Sequence, residues 1–161
     1  MTEPSPDGVA AFIERHQLDA EIIATPDGVP TVERAATALG VTEDQIIKTL
    51  VFASPDGNLV IAIASGTGRV DWQKLAATAG VAKLSFAPPE LVLESTGYPP
   101  GGVAPVGLPE NAPVIIDPSV LEWDEVYGGA GTDLHMMRIR TVDLVRLNRA
   151  SIALIVRDSS A

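Results

Sequence analysis

The order of elements predicts a single α+β, or mixed α/β, domain on a mixed and mostly antiparallel sheet. Three observations carry this. Helical and strand patterns interleave along the chain with no internal repeat. Two apolar, β-branched runs at 49–53 and 59–64 flank Pro55-Asp56-Gly57-Asn58, which has hairpin-loop chemistry. The 161 residues, 46% hydrophobic and 20% charged, suit one domain with a real core.

Each element has a local reason. Residues 1–8 are rich in Pro, Ser and Asp and are expected to form a disordered N-terminus, leaving 9–161 as the domain. Val9, Phe12, Ile13 and Leu18 fall at roughly helical spacing, which predicts an amphipathic helix. Residues 21–24 read as a short strand and Pro26-Asp27-Gly28 as a turn. Thr31 caps a helix over 32–39 that Gly40 stops. Thr42 followed by Gln45 is a capping-box pattern, so a short helix is expected to start there. Lys48 then falls at a helix-to-strand junction, among Ile46, Ile47, Leu50 and Val51. After the hairpin and a loop at 65–70, Asp71 caps a helix over 72–79 ended by Gly80. Pro88-Pro89 opens a helix running through Glu94. Residues 96–109 hold four Gly and four Pro. A strand at 114–116 ends at Asp117-Pro118, and 125–127 reads as another strand. Residues 128–133 read as a second Gly-rich turn, 134–140 as a strand, and Thr141 as the cap of a last helix through Leu147. Residues 151–156 are a final strand or a packed tail.

Composition narrows the function. Cysteine is absent, which excludes disulfides, thiol nucleophiles and thiolate metal sites, and makes a cytoplasmic location the simplest expectation. Two histidines without cysteine argue against zinc, so neither metal nor cofactor is expected. His16 is expected on the surface; His135 either lines a site or is structural. Apolar runs such as 152–156 fall far short of the roughly 20 residues that span a bilayer, and the N-terminus lacks the basic region of a secretory signal. The net charge of −10 repels nucleic acid overall, so no DNA partner is expected and any RNA contact must be local and salt-sensitive. Gly129-Ala130-Gly131 and Gly66-Thr67-Gly68 both fail the dinucleotide pattern, with Leu134 and Asp71 at the third glycine position. No nucleophile-elbow sequence is present. Asp124, Glu125 and Asp133 are either a carboxylate pair or a solvated edge.

Two features stand above this background. Lys48 sits inside an apolar run, either snorkelling or serving as a functional cation. The loop at 96–109 combines glycines, which let backbone N–H groups approach a ligand, with prolines, which hold it stiff; otherwise it is a rigid surface loop. Taken in order, Ile46-Ile47-Lys48-Thr49-Leu50-Val51, then Gly101-Gly102-Val103-Ala104-Pro105-Val106-Gly107-Leu108, then Ile115-Ile116-Asp117, then Gly129-Ala130-Gly131 resembles the YbaK/EbsC family. The resemblance runs over about residues 25–147. That family includes stand-alone aminoacyl-tRNA deacylases related to the editing insertion domain of bacterial prolyl-tRNA synthetase.

The resemblance implies a mixed sheet flanked by helices and an enzyme that hydrolyses the ester of a mischarged tRNA. The expected substrate is tRNA(Pro) carrying a small non-cognate amino acid such as Ala or Cys. The expected partners are the acceptor end of aminoacyl-tRNA and an aminoacyl-tRNA synthetase, with no membrane. Lys48 matches the family's essential lysine. Gly101, Gly102, Val103, Ala104 and Pro105 match the loop lining the amino-acid pocket, with Val103 and Ala104 as its floor, and Gly131 matches a pocket glycine. Thr49, which stands where an alanine-specific branch has Asn, completes the substrate-binding set with Ser65 and Asp133. An aminoacyl ester is already activated, so such an enzyme needs a positioned water or an attacking group on the substrate, plus donors for the oxyanion. Lys48, Arg69, Lys74 and Arg138 are the expected phosphate-facing cations. Two alternatives are a catalytically inactive module binding tRNA ends or a synthetase, and a hydrolase of another small ester or amide.

Overall fold

The computed structural model describes residues 5–25, 28 and 31–157. Helix α1 (Asp7–Arg15) leads into β1 (Ala20–Ala24), α2 (Val32–Leu39) and a short 3₁₀ turn at Glu43–Gln45. Strands β2 (Ile47–Ala53) and β3 (Leu59–Ser65) form the hairpin, followed by α3 (Trp72–Ala79), β4 (Ser85–Phe86) and α4 (Pro89–Thr96). Beyond the Gly/Pro loop come β5 (Val114–Ile116), a second 3₁₀ turn at Pro118–Glu122, β6 (Glu125–Gly129), β7 (His135–Arg140), α5 (Thr141–Asn148) and β8 (Ser151–Ile152).

The strands form two sheets. One has the order β1-β7-β6, antiparallel throughout. The other has the order β4-β2-β3-β5-β8, antiparallel from β4 to β3 and parallel from β3 to β8. A bridge between Ile46 and Tyr127 joins them at the start of β2. The expected mixed, antiparallel-dominated sheet flanked by helices is therefore the observed fold. Strand β3 is buried on both faces because its alternate residues serve two cores. Val60, Ala62 and Ala64 pack with Phe52, Leu75 and Ala76 beneath α3. Ile61 and Ile63 point the other way, into the larger core with Ile47, Val51, Val103, Ala104 and Ile116.

The caps behave as their chemistry requires. The Arg34 N–H donates to Thr31 Oγ1 at 3.1 Å, and the Gln73 and Lys74 N–H groups donate to Asp71 Oδ1 at 2.9 and 3.1 Å. Gly40 and Gly80 stop their helices at φ 70° and 74°.

Several boundaries differ. Helix α1 begins at Asp7, so Asp7 and Gly8 belong to it rather than to a disordered segment, and Leu18 lies past its end. The expected turn at Pro26-Asp27 lies outside the described residues. The capped turn after Thr42 is only three residues long, and β2 starts at Ile47. Lys48 is therefore inside a strand, opposite Ala64, not at a junction. Helix α4 runs on to Thr96, whose hydroxyl donates to the Val92 carbonyl at 2.7 Å. Thr141 is the first residue of α5 and not its cap; its hydroxyl donates to the Trp123 carbonyl at 2.8 Å. Strand β6 extends to Gly129, so the first two glycines of the supposed turn are strand residues. After the two residues of β8, the described residues 153–157 form a tail pinned at Ile155, which is buried with its N–H on Asp117 Oδ1 at 3.0 Å.

Candidate active site

The start of β2 and the Gly/Pro loop face each other across a cleft of about 980 Å³. Residues 46–50 form one side, Pro99 to Val103 another, and Gly129 with residues 132–136 a third. Thr31, Val32 and Ala35 of the α2 end, with Ser5 and Pro6, complete the lining.

Glycines build the loop wall. The Gly102 N–H donates to the Pro99 carbonyl, and the Gly131 N–H to the Gly102 carbonyl, both at 2.9 Å. A Cβ at Gly129 would lie 2.9 Å from the Val103 carbonyl oxygen, so the loop rests directly on β6. Gly131 has φ 96°, and a Cβ there would meet the Ser5 carbonyl oxygen at 2.6 Å. Asn148 of α5 holds the loop's far end, its Nδ2 donating to the Pro105 carbonyl at 2.8 Å. The Gly101 and Val103 N–H groups have no acceptor among the described residues.

Lys48 is half-buried in the opposite wall. Its ammonium donates to the Gly68 carbonyl. Burial, and then the neighbouring Arg69 guanidinium, hold its pKa below the ordinary lysine value. An ammonium has three donors, so this bond leaves hydrogens for a ligand. At the mouth, His135 Nδ1 and Thr132 Oγ1 are 2.7 Å apart, which orients the imidazole.

Of the residues anticipated from sequence, Lys48, Thr49, Gly101, Gly102, Val103 and Asp133 line this cleft together. The others do not. Ala104 is fully buried in the larger core, so of the two expected floor residues only Val103 lines the cleft. Pro105 is buried beside it, Gly131 supports the loop from beneath Ser5, and Ser65 is buried with its hydroxyl 3.0 Å from Thr67 Oγ1. Sequence reading missed Thr132, Pro99 and the α2 residues, and left His135 undecided. The Thr132–His135 spacing at the entry of a strand was the available signal. Asp124, Glu125 and Asp133 make no carboxylate pair: Glu125 instead accepts from Arg138 at 2.8 Å, while Asp133 faces the cleft. No cluster of potential metal ligands occurs among the described residues.

Lys48 on β2 thus stands across one cleft from a backbone wall built of glycines. The model of the aminoacyl-tRNA editing domain matches residues 26–147, and the chain belongs to that family, the YbaK group related to the editing domain of prolyl-tRNA synthetase. The chain is 32% identical over 133 residues to the proline–tRNA ligase of Thermosipho melanesiensis, covering 82% of this chain and 23% of that one. It is 34% identical over 102 residues to the YwhH protein of Bacillus subtilis, covering 63% and 64%. The chain thus spans under a quarter of that ligase and about two thirds of YwhH. The crystal structure of a candidate trans-editing enzyme for prolyl-tRNA synthetase superposes with a TM-score of 0.86 at 31% identity, over 98% of this chain and all of the other. That of the hypothetical protein APE2540 superposes with a TM-score of 0.84, also at 31% identity, over 92% and 99%.

Proposed function

We propose that this protein is a trans-editing hydrolase that removes a small non-cognate amino acid, such as alanine or cysteine, from tRNA(Pro). The observation that carries the reading is the pairing of Lys48 with the Gly101–Val103 backbone across one cleft. Water attacks the acyl carbon, either directly or after a neighbouring ribose hydroxyl of the substrate has taken the acyl group over and released the first ribose oxygen. The bond from that carbon to the ribose oxygen breaks, the ribose oxygen takes the proton, and the products are free amino acid and uncharged tRNA. The developing oxyanion needs fixed donors, which the Gly101 and Val103 N–H groups supply. Lys48 holds the terminal phosphate or the ester carbonyl in register. Val103 sets the depth available to the side chain, and a shallow apolar floor accepts small groups.

A panel of mischarged tRNAs tests this. Alanyl- and cysteinyl-tRNA(Pro) are expected to be deacylated, and prolyl-tRNA(Pro) spared. No turnover of any aminoacyl-tRNA by the folded protein would overturn the reading.

A further inference from the structure

The chain has three lysines, Lys48, Lys74 and Lys83. Hydrogen bonds, a charge interaction and a shared cleft connect them with two arginines. Lys48 donates to the Gly68 carbonyl, and the next residue, Arg69, is close enough to act on its charge. The Arg157 N–H donates to the Arg69 carbonyl at 2.7 Å, and Lys74 Nζ donates to the Val156 carbonyl at 3.0 Å. Arg157 then shares a second cleft, of about 600 Å³, with Lys83, Asp71 and Trp72.

Aromatic rings stand at that end. Trp72 is 39% exposed and Phe86 53% exposed, with ring centroids 5.0 Å apart at 81°. Both are anchored on the buried Phe52: Phe86 stacks on it at 4.8 Å and Trp72 meets it edge-on at 5.8 Å. Rings this exposed and this well held present a fixed face to solvent. Two carboxylates along the path, among the described residues, are engaged locally. Asp71 caps α3, and Asp44 Oδ1 accepts the Thr67 hydroxyl at 2.9 Å. On a chain of net charge −10, a cationic run ending in exposed aromatics fits a nucleic-acid strand: phosphates on the cations, a base on the ring.

We propose that the strip from Lys48 over Arg69 and Arg157 to Lys83 and Trp72 holds the single-stranded 3′ end of the RNA whose terminal nucleotide enters the active-site cleft. An upstream base of that strand stacks on Trp72. The identity of the RNA rests on the proposed editing function; the contacts themselves do not require hydrolysis.

Binding of uncharged RNA to the full chain tests the strip without any turnover. The probes are an RNA hairpin with a short single-stranded 3′ tail and the same hairpin blunt-ended. The tailed hairpin is expected to bind more tightly. Trp72→Ala should weaken it roughly 5- to 100-fold, with Trp72→Phe recovering most of the loss. Because Trp72 also packs on Phe52, a second variant keeps the test independent of folding. The exposed pair Lys83→Gln/Arg157→Gln should flatten the slope of log Kd against log salt by about 1.4, at about 0.7 per single-strand contact. Equal binding of tailed and blunt hairpins overturns the proposal, as does wild-type RNA binding by both variants. Variants that lose only a synthetase partner and keep RNA overturn it as well, assigning the face to protein. If tail binding depends on Trp72 while no mischarged tRNA is hydrolysed, the strip stands and the hydrolase reading falls. Hydrolysis with an unchanged KM in both variants gives the reverse.

Discussion

Lys48 meets two opposed demands. Its ammonium gains from water, while its place in β2 between Ile47 and Thr49 removes part of that water and sets Arg69 nearby. The charged form is thus disfavoured, and the pKa lies below the ordinary 10.5. If the ammonium positions the substrate, activity is present while Lys48 is protonated and is lost as pH rises through its lowered pKa. The alkaline limb of kcat/KM, corrected for spontaneous ester hydrolysis, should therefore fall below pH 10.5. Lys48→Arg, whose guanidinium stays charged, should retain some activity and lack that limb. Lys48→Ala should abolish deacylation while the thermal midpoint moves by no more than a few degrees; near-normal turnover by the folded variant would remove Lys48 from the mechanism. The neighbouring pair Val103 and Ala104 separates pocket from core. Val103→Ala deepens the floor and should raise kcat/KM for larger acyl groups relative to alanyl. Ala104→Leu instead overpacks a fully buried site and should lower stability by about 1–3 kcal/mol. If Ala104→Leu alters acyl preference without a stability loss, the floor has been misplaced. The sequence made Lys48 and Val103 legible because a cation in an apolar run and a Gly/Pro loop are local anomalies. It could not separate Val103 from Ala104, since which of two adjacent loop residues turns inward depends on what packs behind them.

Elements differ in how far local chemistry decides them. The hairpin and the Thr31 and Asp71 caps were readable because a turn or a cap is settled within a few residues. Strand β4 was not: two residues make no pattern, and Ser85–Phe86 is a strand only because Phe86 finds Phe52. The end of β6 was misread for a related reason. Gly128 and Gly129 look like a turn, yet both pack in a strand: a Cβ at Gly128 would lie 3.1 Å from Ile47 Cγ1, and one at Gly129 2.9 Å from the Val103 carbonyl. These glycines keep the loop, β6 and β2 in contact. Gly129→Ala should therefore push the loop off β6, lowering stability by about 1–3 kcal/mol and kcat/KM together. Gly57→Ala is the control. It strains a hairpin residue at φ 85° with open space around it, so stability should fall by roughly 1 kcal/mol with kcat/KM unchanged. Paired thermal denaturation and kinetics on the two variants check this. Equal kinetic effects would show that the β6 contact does not hold the site.

At the scale of the molecule, interleaved helices and strands gave the fold class, but not the two-sheet arrangement. That depends on β1 pairing with β7 from nearly the other end of the chain, which no local signal encodes. The charge distribution was half legible in the same way. A net charge of −10 sets the field, but only the folded chain shows which cations are available to an anion. Arg138, expected to face phosphate, is instead held by Asp19 at 3.1 Å, Glu21 at 3.2 Å and Glu125 at 2.8 Å, on the three-stranded sheet. Against the burial that lowers it, those three carboxylates raise its pKa and outnumber its charge, so Arg138 is not free to meet a phosphate. Binding must then rest on few contacts, Lys48 and Arg69 with the cations beyond them. About three or four phosphate contacts, each releasing roughly 0.7–0.9 counterions, give a modest but definite salt slope. Raising monovalent salt from about 50 to about 200 mM should weaken tRNA binding roughly 20- to 150-fold. Arg138→Gln should leave that slope unchanged, while Arg69→Gln should reduce it by roughly one contact. Affinity that barely moves with salt, or a slope that falls in Arg138→Gln but not in Arg69→Gln, would place the RNA on the three-stranded sheet and not beside Lys48.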